Sequence, residues 1–154
     1  MEALEDASTA LPLLREYLLI AFKYDSARAV LTMICDYAVV SEGARRAFVM
    51  LVFEGVDHYE RSVGDSGDYC KFVDSYQADT QSAPIVIQDV RLHREGTVLS
   101  MNVFLGTDFG EFEFRFKNIS GFVRNAKVEQ QGDRFVYRDW RTNREFDFFN
   151  PFSL

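Results

Sequence analysis

The residues of this chain that could do chemistry are few and widely spaced. Its two histidines are His58 and His93. His58 stands beside Asp57 and Glu60, and an imidazole among carboxylates is the raw material of a general base or a metal ligand. No motif surrounds it. His93 shares the outward side of its strand pattern with Asp89 and Arg91, a surface placement. A catalytic nucleophile needs a base within hydrogen-bond reach. The chain has no Gly-x-Ser-x-Gly elbow, and Cys35 and Cys70 stand in no redox or protease signature. Asp36, Glu54, Asp57 and Asp139 would serve an enzyme only if the fold gathered them. The expectation is a protein without catalytic residues.

Two loop chemistries meet in Gly64-Asp65-Ser66-Gly67-Asp68. The run is glycine-rich, but its two carboxylates repel phosphate, against a nucleotide loop. The same acids, with Glu60 or Asp74, invite a test for calcium. Calcium takes about six to eight oxygen ligands in a constrained loop. This run is too short and lacks the EF-hand spacing, so a solvated acidic loop is expected, with no metal and no cofactor.

The elements that would position these residues are mostly strands. Aromatic residues make up 15% of the chain, which favours strands and filled cores. Leu18, Ile20, Phe22 and Tyr24 fall on one side of a first strand. Leu31, Met33, Cys35 and Tyr37 return inward on a second, with Thr32 and Asp36 outward. Residues 46–53 are apolar on both faces, as in a central strand covered on both sides. Gly55 marks a bulge or corner, and Val56 to Arg61 reads as a polar edge strand. Strand rhythm breaks over 62–83, a short helical or irregular segment, and resumes after Pro84 with a bulge expected near Asp89. Leu99, Met101, Val103 and Leu105 then face inward. Phe112, Phe114 and Phe116 alternate with Glu111, Glu113, Arg115 and Lys117, which is core placement and not a base-stacking platform. Val123–Glu129, Phe135–Trp140 and Arg144–Phe149 supply three more strands.

This spacing predicts a mainly β fold, an antiparallel sandwich or open barrel of about eight to ten short strands. Residues 1–154 form one domain, with 1–15 a short helix or arm. Two cysteines are too few for a disulfide scaffold, and Cys35 is expected as a buried free thiol. The acidic N-terminus lacks a signal-peptide layout and no apolar run approaches the ~20 residues that span a bilayer. A cytoplasmic location is expected.

Charge narrows the partners. The formal net charge is −7 and the pI about 4.8. Nucleic-acid binding needs a basic footprint, and anionic membranes repel an acidic chain, so neither is an expected partner. The negative charge is concentrated: residues 54–80 hold seven acids against two bases. With the broken strand rhythm there, Asp57, Asp65, Asp68, Tyr69, Asp74, Tyr76 and Asp79 become candidates for meeting a basic protein partner. Tyrosine supplies contact area and the acids select partners.

Phe22-Lys23-Tyr24-Asp25, Val30-Leu31-Thr32-Met33 and Leu51-Val52-Phe53-Glu54-Gly55-Val56 with Tyr59 form a pattern similar to one in small bacterial proteins of unassigned function. Some of those are similar to immunity proteins that accompany polymorphic toxins. The resemblance is confined to the N-terminal part of the chain and implies a small cytoplasmic β domain that binds a partner. It carries over no functional residue. Two expectations of function remain: a non-catalytic interaction module of immunity type, or a carrier holding a small apolar ligand inside the sheet.

Overall fold

The computed structural model describes residues 2–37, 45–62 and 85–153. Alternating apolar and polar side chains drive most of these residues into extended backbone. The strands are β1 (Glu2–Ala3), β2 (Leu18–Asp25), β3 (Val30–Tyr37), β4 (Arg45–Glu54), β5 (Asp57–Ser62), β6 (Ile85–Val86), β7 (Asp89–Glu95), β8 (Val98–Phe104), β9 (Glu111–Phe116), β10 (Asn118–Gln131), β11 (Arg134–Asp139) and β12 (Glu145–Phe146). They build two antiparallel sheets. The larger runs β12-β11-β10-β4-β3-β2-β6, with β1 also paired to β10, and the smaller runs β5-β9-β8-β7. The sheets do not close into a barrel, and the fold is a β-sandwich.

Aromatic rings fill the space between the sheets. Phe22 stacks on Phe112 at 5.0 Å between centroids, and Phe53 meets Phe114 and Phe116 edge-on at 4.9 Å each. Leu31, Met33, Val49, Leu51, Met101 and Val103 complete this layer, all buried. A 3₁₀ helix at Ala7–Leu14, capped by the Asp6 carboxylate on the Ser8 amide, adds Ala7, Ala10, Leu11 and Leu14 to it. Glycine is required where this helix and β1 cross β10. A Cβ on Gly121 would stand 2.9 Å from a Leu4 methyl, 3.1 Å from the Ala7 Cβ and 3.1 Å from a Leu51 methyl.

A second apolar layer lies on the other face of the large sheet. Ile20, Ala21, Ile34, Phe48, Met50 and Ala126 are buried there, and Phe146, Phe148 and Phe152 of the C-terminal segment pack against them. β4 thus reads as apolar on both faces because it is covered on both.

Four expectations change. Leu18 and Ile20 do not share a side with Phe22 and Tyr24: the β2–β3 register shifts between Leu19 and Ala21, which turns Ile20 to the second layer and Leu19 to the first. Asp36 faces outward from the inter-sheet core but is 4% exposed, because that side carries the second layer. The phase change near Asp89 is not a bulge; the chain leaves the large sheet after β6 and enters the small one at β7. Of the two forms expected for 1–15, the helix is the one present, preceded by a two-residue strand. Leu18 and Leu99 are half-buried where full burial was expected. The irregular segment expected over 62–83 lies outside the described residues from 63 onward.

Candidate partner-binding surface

The period of two that buries Phe112, Phe114 and Phe116 turns Glu111, Glu113 and Arg115 to the opposite side of the small sheet. Pairing carries that outer side across the strands. Ser62, Glu60 and Asp57 of β5 stand opposite Glu111, Glu113 and Arg115. On the other flank Phe104, Asn102 and Ser100 of β8 stand opposite the same three residues. Asp89, Arg91 and His93 of β7 continue the rows, with Glu95 beyond them. The face therefore carries six carboxylates (Asp57, Glu60, Asp89, Glu95, Glu111 and Glu113) against the guanidinium groups of Arg91 and Arg115.

Both cations are already engaged. Arg115 grips Asp57 through two contacts, 3.0 and 3.1 Å, and also touches the His58 ring. These hydrogen bonds hold the Asp57 carboxyl below the usual carboxylate range, helped by His58. Arg91 donates to Asp89 at 3.0 Å and lowers its pKa in the same way. Asn102 donates to Glu111 at 2.8 Å. Glu95 stands 3.5 Å from the His93 ring. Glu60 and Glu113 remain, exposed and directly opposite one another, with no ion pair to either among the described residues. Like charges facing across a ladder destabilise it.

Of the candidates read from the sequence, Asp57 lies on this face, at the edge strand. Asp65, Asp68, Tyr69, Asp74, Tyr76 and Asp79 lie outside the described residues. The structure adds Glu111, Glu113, Asp89 and Glu95, which no window of local charge revealed. The legible signal was the strict Glu-Phe alternation of β9, which requires a charged face wherever it buries an apolar one.

The carboxylates that an enzyme would have needed are dispersed. Asp57 is on the small sheet and exposed Glu54 at the end of β4, opposite Val30 and Asn118. Asp36 and Asp139 lie on the second layer, each taken by its own arginine. Arg46 donates to both Asp36 oxygens at 3.3 and 3.0 Å, and Arg124 meets Asp139 at 2.9 Å. The second layer also binds the C-terminal segment to these arginines. The Arg124 guanidinium lies 4.2 Å from the Phe146 ring centroid, and it donates to the Pro151 carbonyl. Arg46 lies over Phe148 at 5.7 Å. Cys35 is buried as a free thiol, and burial, with Asp36 adjacent, pushes its pKa upward, away from nucleophilic use. Among the described residues no cluster of His, Cys, Asp and Glu could hold a metal ion.

Neither a protein-family model, nor a curated protein, nor a solved structure matches this chain. The functional reading therefore rests on its own surfaces. No helix among the described residues is long and apolar enough to cross a membrane.

Proposed function

We propose that this chain is a non-catalytic interaction domain that captures a basic protein partner on the outer face of its small sheet. A role of immunity type, binding and neutralising a toxin, is the specific form the reading takes. The Glu60–Glu113 pair carries it. Two carboxylates opposed across neighbouring strands repel one another, have no ion pair among the described residues, and would gain a counterion from a basic partner. Charge of this kind mainly speeds encounter and excludes wrong partners. The surplus agrees in sign with the net charge of −7, and β5 leads directly into the acidic stretch that follows it in sequence.

The alternative, a carrier of an apolar ligand, has less support. Stacked and edge-on Phe rings occupy the inter-sheet space where such a ligand would sit.

The test is capture from a bacterial lysate by immobilised protein at low and moderate salt, with partners identified by mass spectrometry. The reading expects a basic protein that is retained at low salt and lost when Glu60→Gln and Glu113→Gln are combined. Equal retention of the same protein by the double variant counts against it.

A further inference from the structure

A different surface lies at the far edge of the large sheet. β12 pairs with β11 only at Tyr137 and Arg138. The chain then turns away: the Asp147 carboxylate accepts the Phe149 amide at 3.0 Å, and its carbonyl accepts the Asn150 amide at 3.0 Å. This built turn leaves Arg134, Phe135 and Val136 with no strand on their outer side among the described residues.

The direction of the main-chain groups along β11 follows from its far end. Asp139 donates its amide to the Arg144 carbonyl at 2.8 Å and accepts at its own carbonyl from the Asn143 amide at 2.9 Å, both away from β10. Trp140, next in sequence, donates instead to Asn125 of β10 at 3.0 Å. In an antiparallel ladder these directions alternate residue by residue. Asp139, Tyr137 and Phe135 therefore point outward, and Arg138, Val136 and Arg134 point to β10. The Phe135 N–H and C=O face the open edge, and the residue is 59% exposed, the most exposed large apolar residue among those described.

A groove of about 770 Å³ runs along this edge, walled by Arg134 to Tyr137 on one side and Glu145 to Phe149 on the other. Its walls offer the Phe135, Phe148 and Phe149 rings. Glu145 is held by Arg134 at 3.3 Å and Arg138 at 3.8 Å, which leaves Asp147 as the wall carboxylate with no ion pair among the described residues. Natural sheets protect an edge with charged side chains, proline, a bulge or a covering element. Arg134 brings a charge to one end of this stretch, but among the described residues no proline, bulge or covering strand guards Phe135.

We infer that this edge accepts an extended segment of a partner protein as an added strand. The segment alternates apolar and basic residues: its main chain pairs with Phe135, an apolar side chain packs on the Phe rings, and a neighbouring basic one meets Asp147. Strand addition of this kind takes affinity from main-chain hydrogen bonds and selectivity from alternate side chains. The inference is independent of the acidic face, which belongs to the other sheet.

The probe is an acetylated, amidated heptapeptide of alternating Lys and Val, titrated into ¹⁵N-labelled full-length protein. Saturable amide shifts are expected at Arg134–Tyr137 and Glu145–Phe149. Phe135→Pro removes the outward N–H without breaking a ladder bond, so it should fold with nearly the parent melting temperature and weaken the peptide about tenfold. Should that variant misfold, N-methylation of the peptide at its central Val makes the same test on the intact protein, again with about tenfold loss. Shifts confined to Glu60, Glu113 and their neighbours would overturn the inference, as would undiminished binding of the N-methylated peptide or no saturable shift at all.

Discussion

At the scale of single residues, two ion pairs hold the second layer. Asp36, Phe48 and Arg124 share one row across β3, β4 and β10, and Arg46, Ala126 and Asp139 share the next across β4, β10 and β11. Each acid reaches diagonally to the arginine of the other row. Burial opposes ionisation of Asp139, but the amides of Thr142 and Arg141 and the Arg124 guanidinium outweigh it and lower its pKa. A carboxyl lowered in the folded state lends stability above its unfolded value of about 3.9 and loses it as pH falls through the folded value. Asp139→Asn should therefore cost about 1–3 kcal/mol at neutral pH, with the deficit shrinking below about pH 4, as measured by urea unfolding across pH. None of this was legible in the sequence. Asp36 and Asp139 read as polar positions of ordinary strands, because nothing local announces that the C-terminal segment covers that face.

Among the elements, β9 was the most legible and the β6–β7 region the least. Strict alternation fixed the inward face of β9, since a one-residue slip would bury Glu111, Glu113 and Arg115 together. Phe114→Ala should cost about 3–5 kcal/mol in urea unfolding, because the ring is wholly buried and packs against Phe53, Phe112 and Phe116. Phe148→Ala should cost clearly less: its ring is half-buried and packs on Phe48 and Tyr137 from one side. An equal cost for the two would mean the second layer is as essential as the first. The early part of β10 was missed because Ser120-Gly121 resembles a turn. Gly121 is there for close approach of the N-terminal helix, a tertiary demand. The two-residue strands β1, β6 and β12 are too short to show any period. For the same reason, the passage from one sheet to the other at Ile87–Gln88 mimicked a bulge: both reverse the inward phase, and only pairing separates them.

For the whole molecule, the sequence made the sandwich class and the net charge plain, but not where the surplus charge gathers. Local counting pointed to the stretch around residues 54–80. Pairing of β5 with β9 shows that Glu111 and Glu113, some fifty residues away in sequence, share a face with Asp57 and Glu60. Charge that is neutral when summed along the C-terminal half is thus divided by the sheet, acids concentrated on the small sheet and several arginines on the large one. The central claim is that this face keeps opposed carboxylates at a cost to the fold. Its most direct measurement is a double-mutant cycle in urea at low salt on Glu60→Gln, Glu113→Gln and the pair. The account predicts that each single variant is more stable than the parent by a few tenths of a kcal/mol, and that the second substitution gains less than the first, since one change already removes the repulsion. Variants less stable than the parent, or gains that simply add, would contradict it.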